Sequence, residues 1–107
     1  MVEADNAQLV KGFLRGQNLE QVGRIDEAIA LYESAVAAHF DSSGPYDRLI
    51  ALYSQRARHA DVVRVTEAAL GWVHTHTEKK QWYETMRGEA IRAQAAVPPA
   101  APKRPPR

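Results

Sequence analysis

Two histidines near the middle of the second half of this chain have the residue type to bind a metal ion. His74 and His76 are followed by Glu78, and His74 and Glu78 stand at the i, i+4 spacing that places two ligands on one helical face. The two histidines would then point to different faces of that helix, because residues two apart are not neighbours on its surface. The segment is more typical of a turn, so we expect no metal site.

Catalytic arrangements are also weak. A catalytic nucleophile needs a nearby base, or the cleft needs a pair of carboxylates. Ser42 and Ser43 follow Asp41 but have the residue types of a loop and a helix cap, while Asp26 and Glu27 suit the first turn of a helix, where the macrodipole favours acids. The segment FLRGQ lacks the glycines and the lysine of a phosphate-binding loop. We therefore expect no enzyme activity and no cofactor.

Composition indicates a single globular domain held together by packing alone. The chain has 107 residues, 45% hydrophobic and 25% charged, with no cysteine for disulfides or thiolate metal sites. Neither an amino-terminal apolar run nor a stretch of about 18 apolar residues is present, which predicts a cytoplasmic protein without a membrane partner. The bias toward Ala and Arg is typical of a GC-rich genome and hints at a bacterial source.

The charge distribution argues against nucleic acid as the partner of the folded part. Three cations, Lys103, Arg104 and Arg107, lie in the last five residues. The formal charge of +1 for the whole chain, less these three, leaves −2 for residues 1–102. A slightly acidic body is a poor match for a domain that must neutralise many phosphates.

The apolar spacing predicts helices in every segment and no strands. Gly23 separates the first two helices, Gly44 and Pro45 mark the strongest internal break, and Thr75 with Glu78 resembles a capping box. Asp5 is the expected N-cap of the first helix. The predicted helices span about 6–21, 25–39, 45–56, 61–74 and 75–95.

Three apolar stripes predict the core. The stripes comprise Tyr46, Leu49 and Tyr53, then Val62, Val65, Ala69 and Val73, and finally Tyr83, Met86 and Ala90, which should dock the last helix. Val63, Leu70 and Trp72 widen the second stripe beyond one face. Five of the six prolines lie in residues 98–106, where a helix cannot continue. We therefore predict a folded domain at 1–97 and a disordered, proline-rich basic tail at 98–107.

A helical pattern recurs at a fixed spacing of about 34 residues, which we call the repeat length. Ala28, Tyr32 and Ala35 in the first occurrence of the pattern are followed, one repeat length later, by Val62, Thr66 and Ala69. A two-helix unit with this period is typical of tetratricopeptide repeats, which present a groove to a partner.

These residues resemble the tetratricopeptide repeat family over roughly residues 10–95. The first repeat matches through Gly16, Leu19, Gly23, Ala28, Tyr32 and Ala35, and the second through Tyr46, Leu49 and Tyr53. The second repeat departs from the family pattern at Ile50, Val62 and Thr66. The resemblance implies an all-α, right-handed solenoid of about five helices, with two repeats and a C-terminal capping helix.

The resemblance also implies a groove lined by the first helix of each repeat. Carried over by position, its residues are Phe13, Gln17, Gln21, Asp47, Arg48, Ala51, Gln55, Gln81, Trp82 and Thr85. Family members that clamp a terminal carboxylate use Lys, Asn and Arg at places held here by Phe13, Gln17, Arg48, Glu78 and Trp82, so the clamp is absent. A glutamine-rich groove with one arginine suits an extended peptide. For Trp82 the sequence leaves two positions open, one in the groove and one in the core.

The leading expectation is a non-catalytic adaptor or scaffold that binds a protein or peptide partner. One alternative is a regulatory module of a bacterial transcriptional apparatus, whose basic tail could touch nucleic acid. Another is a self-associating structural subunit, because two repeats leave an unfilled end near Phe13 and Leu14 or near Trp82 and Met86. A homodimer would cover that end.

Overall fold

The computed structural model describes residues 6–75 and 77–96, which form five α-helices and no strand. The helices are α1 (Asn6–Gln21), α2 (Ile25–Ala37), α3 (Ser43–Gln55), α4 (His59–Trp72) and α5 (Lys80–Ala96), with a 3₁₀ turn at Thr77–Lys79 before α5. The predicted all-α class and the five helices are confirmed. The expected cap at Asp5, the histidine at position 76 and the predicted tail at 98–107 lie outside the described residues.

Several helix boundaries differ from the predicted ones. Helix α2 ends at Ala37, because His39 adopts a left-handed φ of 58°. Helix α3 begins at Ser43, two residues before Pro45, because the first-turn N–H groups of a helix need no helical acceptor and a proline is therefore tolerated there. Helix α4 begins at His59, within the segment predicted as a loop.

The Thr75 hydroxyl does not cap the fifth helix as predicted. It lies 3.1 Å from the carbonyl oxygen of Asp41, to which it donates. The Asp41 carboxylate accepts the backbone N–H groups of His74 and Thr75 at 2.6 and 3.2 Å. The His74 hydrogen bond is the main reason that the pKa of Asp41 is lowered. These bonds tie the α2–α3 loop to the segment between α4 and α5.

The ends of α1 and α3 have the same local structure, one repeat length apart. Gly23 and Ala57 both follow their helix with left-handed φ angles of 85° and 56°. The next residues, Arg24 and Arg58, donate their N–H groups to the carbonyls of Leu19 and Tyr53, at 2.8 and 2.9 Å. This is the Schellman arrangement, which satisfies carbonyls at a helix end.

The starts of α2 and α4 repeat as well. Arg24 pairs with Glu27 at 2.7 Å, and Arg58 pairs with Asp61 at 2.7 Å. Asp26 and Glu27 place negative charge in the first turn of α2, as predicted, and Asp61 does so in α4. The two helix pairs, α1–α2 and α3–α4, therefore share their junction chemistry.

The core lies between successive helices, each of which packs mainly on its neighbours in the chain. All four tyrosines are buried, including the three that the stripes predicted, and so are the small residues of the recurring pattern. The fully or nearly fully buried core includes Ala28, Tyr32, Ala35, Tyr46, Leu49, Ile50, Tyr53, Val62, Val65, Ala69, Tyr83 and Ala90. Close-packed small residues let neighbouring helices approach while the aromatic rings fill the space between them.

Trp72 departs from its expected role. Trp72, predicted to widen the buried stripe of α4, is 44% exposed. Its ring stacks on that of His39, with centroids 3.8 Å apart and planes 5° from parallel.

Within the described ranges, no helix has both the length and the apolar character needed to cross a bilayer.

Candidate functional site

A charged link joins α1 to α3 across the intervening α2. Arg48 donates to both carboxylate oxygens of Glu20, with Nε and Nη2 at 2.9 and 2.6 Å. The hydroxyl of Tyr32 also donates to Glu20, at 2.7 Å. The Arg48 hydrogen bond is the main reason that the pKa of Glu20 is lowered, while burial raises the pKa of Tyr32.

A second link joins α3 to the start of α5. Asp47 accepts hydrogen bonds from Lys79 Nζ at 2.7 Å and from the hydroxyl of Tyr83 at 2.9 Å. Lys79 Nζ also lies 5.6 Å from the centre of the Trp82 ring, close enough for a cation–π attraction. These two links therefore connect α1 to α3, and α3 to the 3₁₀ turn and the start of α5. We call the surface formed by the side chains of these links and by Trp82 the odd-helix face; its residues are Glu20, Arg48, Asp47, Lys79 and Trp82.

A third link joins α2 to α4. Arg64 donates to both carboxylate oxygens of Glu33, at 3.1 and 2.6 Å, and to Asp61 at 3.1 Å. The hydroxyl of Tyr53 on α3 donates to Glu33 as well. The even-numbered helices are thus connected side by side, as the odd-numbered ones are.

Phe13 is a packing residue at the edge of the odd-helix face. Its ring centre lies 5.8 Å from that of Tyr32, at an angle of 47°. A Cβ added at Gly44 would lie 2.6 Å from Phe13 Cζ. The half-buried ring therefore fills the space where α1, α2 and the start of α3 meet, which leaves it little freedom to receive a ligand.

Asp47 and Arg48, predicted to line the groove, both have their charges neutralised within the chain by the links described above. The other predicted groove residues differ: the structure gives the side-chain amides of the four glutamines no hydrogen bond with any described residue. Gln17 and Ala51 are half-buried, and the exposed positions are Gln21, Gln55, Gln81, Trp82 and Thr85. Trp82 is 39% exposed and tilts against Tyr83, with ring centres 5.5 Å apart.

The helical spacing and the ring contact place Gln17, Ala51 and Trp82 beside the links. Gln17 precedes Glu20 by three residues on α1, and Ala51 follows Arg48 by three on α3, so each pair shares a face. Trp82 lies next to Lys79 in space. Among the described residues, the odd-helix face therefore offers unpaired amides between internally neutralised charges, with an aromatic ring at one end.

Glu20 and Lys79 were not predicted as site residues. Glu20 is the only acid on α1, which also carries Lys11 and Arg15, and a lone acid on a helix is a signal that could have drawn attention to it. Its partner Arg48 is 28 residues away, a separation that no local pattern encodes.

Clefts elsewhere on the described surface are small. One of about 240 Å³ lies between α3, α4 and α5, and one of about 180 Å³ between α4 and α5 includes His74 and Lys80. A cleft of about 300 Å³ beside α1 and α2 includes Lys11 and Arg15. Across residues 6–75 and 77–96, no three His, Cys, Asp or Glu side chains come together as a metal site.

No protein-family model, curated protein or solved structure matches this chain.

Proposed function

We propose that this chain is a non-catalytic binding module that holds an extended segment of a protein partner on the odd-helix face. In this proposal the five helices form a tetratricopeptide-like, right-handed solenoid of two repeats with α5 as its cap. The module acts in the cytoplasm as an adaptor or scaffold.

The observation that carries the proposal is the recurrence of one two-helix unit along the chain. The caps at Gly23 and Ala57 and the ion pairs of Arg24 and Arg58 occupy equivalent places in both units. In this proposal the two units repeat their helix directions as well as their junctions, so that their first helices line up along one surface. Extended surfaces of this kind bind partners in repeat proteins.

The chemistry of the odd-helix face favours a peptide read through its backbone. The main charges on the face, Arg48 and Asp47, are satisfied by Glu20 and Lys79, so an ionic group of the partner would have to displace an existing bond. Glutamine amides each offer a donor and an acceptor, which match the peptide groups of an extended chain. Trp82 offers a flat apolar surface for one side chain of the partner.

Peptide selection tests this proposal without a known partner. Random linear peptides selected against the whole protein should bind with micromolar affinity, and Gln17→Ala and Trp82→Ala should each weaken binding. The expected loss is about 0.5–1.5 kcal/mol for the neutral hydrogen bonds of Gln17, and about 2 kcal/mol or more for an aromatic anchor. Calorimetry with the selected peptides gives these values.

Matched control variants use residues of the same type away from the odd-helix face. Gln94→Ala and Trp72→Ala remove an exposed glutamine of α5 and an exposed tryptophan of α4. We expect both to bind selected peptides like the unmodified protein. Peptides that lose affinity with the controls and not with the Gln17 and Trp82 variants would show that another surface binds, and the proposal would be wrong.

A further inference from the structure

Helix α5 has an outer stripe that the described part of the chain leaves uncovered. Its inner side packs on the preceding helices through Tyr83 and Ala90, which are 1% and 5% exposed. On another side the helical spacing aligns Glu84, Gly88, Ile91, Arg92 and Ala95. Ile91 is 40% exposed, and the neighbouring charged side chains are also exposed.

The charges of this outer stripe are unpaired among the described residues. Most acids and cations of residues 6–75 and 77–96 have a partner there, but the structure gives Glu84 and Arg92 no ion pair with any of them. They stand four residues on either side of Gly88, so each lies about 6 Å from it along the helix axis. Glu84 is negative and Arg92 is positive. The stripe is therefore complementary in charge to the same stripe of a second copy that runs in the opposite direction.

Gly88 has no explanation within the chain. A glycine in the middle of a helix is less favourable than alanine by about 1 kcal/mol. A Cβ at Gly88 would meet only Arg92 Nη1, at an ordinary contact distance of 3.5 Å. The missing side chain is therefore not required by internal packing, whereas it would let the backbone of another helix approach closely.

We propose that the outer stripe of α5 binds a second copy of this chain through a two-fold axis at Gly88, with the two α5 helices antiparallel. In this arrangement Glu84 of one copy lies at the level of Arg92 of the other, and the reciprocal pair forms on the other side of the axis. Ile91 of each copy is covered near the same crossing. An isologous contact of this kind closes after two copies.

The charges favour this helix over the other exposed apolar helix face. On α1, Val10 and Leu14 are 43% and 52% exposed and flank Lys11 and Arg15. A two-fold contact between two α1 helices would bring four cations together without an acid, whereas the α5 contact brings two acids and two cations together.

Charge reversal in the full-length protein tests the arrangement by sedimentation equilibrium. The unmodified chain should form a dimer in the micromolar range. Glu84→Arg and Arg92→Glu should each weaken dimerisation by at least about tenfold, because each places like charges opposite one another. An equimolar mixture of the two single variants should restore a tight heterodimer, since every pair in it is again opposite in charge. The double variant should also dimerise.

Three further variants separate this contact from effects on the fold. Lys11→Glu and Arg15→Glu reverse exposed charges of α1, outside the stripe, and should leave dimerisation unchanged. Gly88→Leu should dissociate the dimer, while circular dichroism shows a helix content at least equal to that of the unmodified chain. A monomer throughout the micromolar range would overturn the proposal, as would association that ignores the reversals or is not restored by mixing. Peptide binding to the odd-helix face does not depend on this outcome.

Discussion

The ring of Tyr32 packs directly against the backbone of Gly16: a Cβ added at Gly16 would lie 2.6 Å from Tyr32 Cε1. Alanine is the better helix former by about 1 kcal/mol, yet we expect Gly16→Ala to destabilise the fold by about 1–3 kcal/mol through overpacking. Gly12, one turn earlier, has no atom within 4 Å of an added Cβ. Gly12→Ala should therefore stabilise by up to about 1 kcal/mol. Urea unfolding measures both variants, and equal responses would contradict the close contact.

Ala57 occupies a backbone conformation that favours glycine. Its φ of 56° brings the Cβ close to the following carbonyl, which disfavours L-residues by about 1–2 kcal/mol. Ala57→Gly should therefore raise the free energy of unfolding by about 1 kcal/mol, and Gly23→Ala at the equivalent cap should lower it by a similar amount. Opposite shifts in the urea midpoint are the expected result. Shifts of the same sign would show that the two caps are not equivalent.

The tyrosine hydroxyls of the core have different environments. The hydroxyl of Tyr46 is buried and has no hydrogen-bond partner among the described residues, and burial raises its pKa to about 12. Tyr46→Phe should therefore stabilise the fold by about 1 kcal/mol, since it removes an unsatisfied polar group. Tyr32→Phe should destabilise by about 1–2 kcal/mol, because it removes the bond to Glu20. Thermal melts compare the two, and a destabilised Tyr46 variant would contradict the prediction.

The link between Glu20 and Arg48 predicts a loss of stability in acid. Because folding lowers the pKa of Glu20 below its ordinary value of 4.5, the carboxylate stabilises the fold above pH 4.5. That stabilisation is lost as the pH falls through the lower pKa of the folded state. Arg48 is 39% exposed, so solvent screening limits the contribution to about 1 kcal/mol.

Glu20→Gln tests this prediction because it keeps the shape of the side chain and removes its charge. We expect the variant to have a lower free energy of unfolding than the unmodified protein at neutral pH. The difference in free energy between the two proteins should become smaller at pH values below 4.5, the ordinary pKa of the Glu20 carboxyl. Glu89→Gln on α5 is the matched control, since the structure gives Glu89 no ion pair among the described residues. A difference between Glu20→Gln and the unmodified protein that stays constant from neutral to acidic pH would rule out the charged link as its cause.

The helices could be predicted because their limits depend on local residue types. Gly23 separates α1 from α2 as predicted, and Tyr46 and Tyr83 face the core at helical spacing. The end of α2 was predicted two residues late, since a histidine rarely adopts the left-handed φ found at His39. The sequence does not predict the bond from the Thr75 hydroxyl to Asp41, because this bond joins segments that are distant in the sequence. The local pattern around Thr75 predicts a helix cap instead.

The two units exchange a large and a small residue between two pairs of equivalent positions. In the sequence this exchange is visible only as a mismatch between the units. Ile50 and Thr66 occupy, in the second unit, the places that Gly16 and Tyr32 hold in the first, and both are fully buried. The first unit has a small residue followed by a large one, and the second reverses them. The reversal keeps the packed volume similar, so the mismatch between the two units at both places is consistent with a retained core.

The candidate site was less predictable than the fold because its chemistry depends on distances between helices. Residue type identified Gln17 and Trp82 as groove candidates, but nothing in the sequence indicated that Arg48 would be held by Glu20 or Asp47 by Lys79. These pairs span 28 and 32 residues. A side chain that looks available for a partner in the sequence can therefore be occupied within the fold.

The preference of each helix for its immediate neighbour also bears on how fast the chain folds. The hydrogen bond from Tyr83 to Asp47 joins residues only 36 apart, and the links between alternate helices have similar separations. Loop closure of this length carries a modest entropic penalty, and helical proteins dominated by such local contacts fold in about microseconds to milliseconds. Each helix pair can thus form its contacts as soon as it leaves the ribosome, before the remainder of the chain has been synthesised.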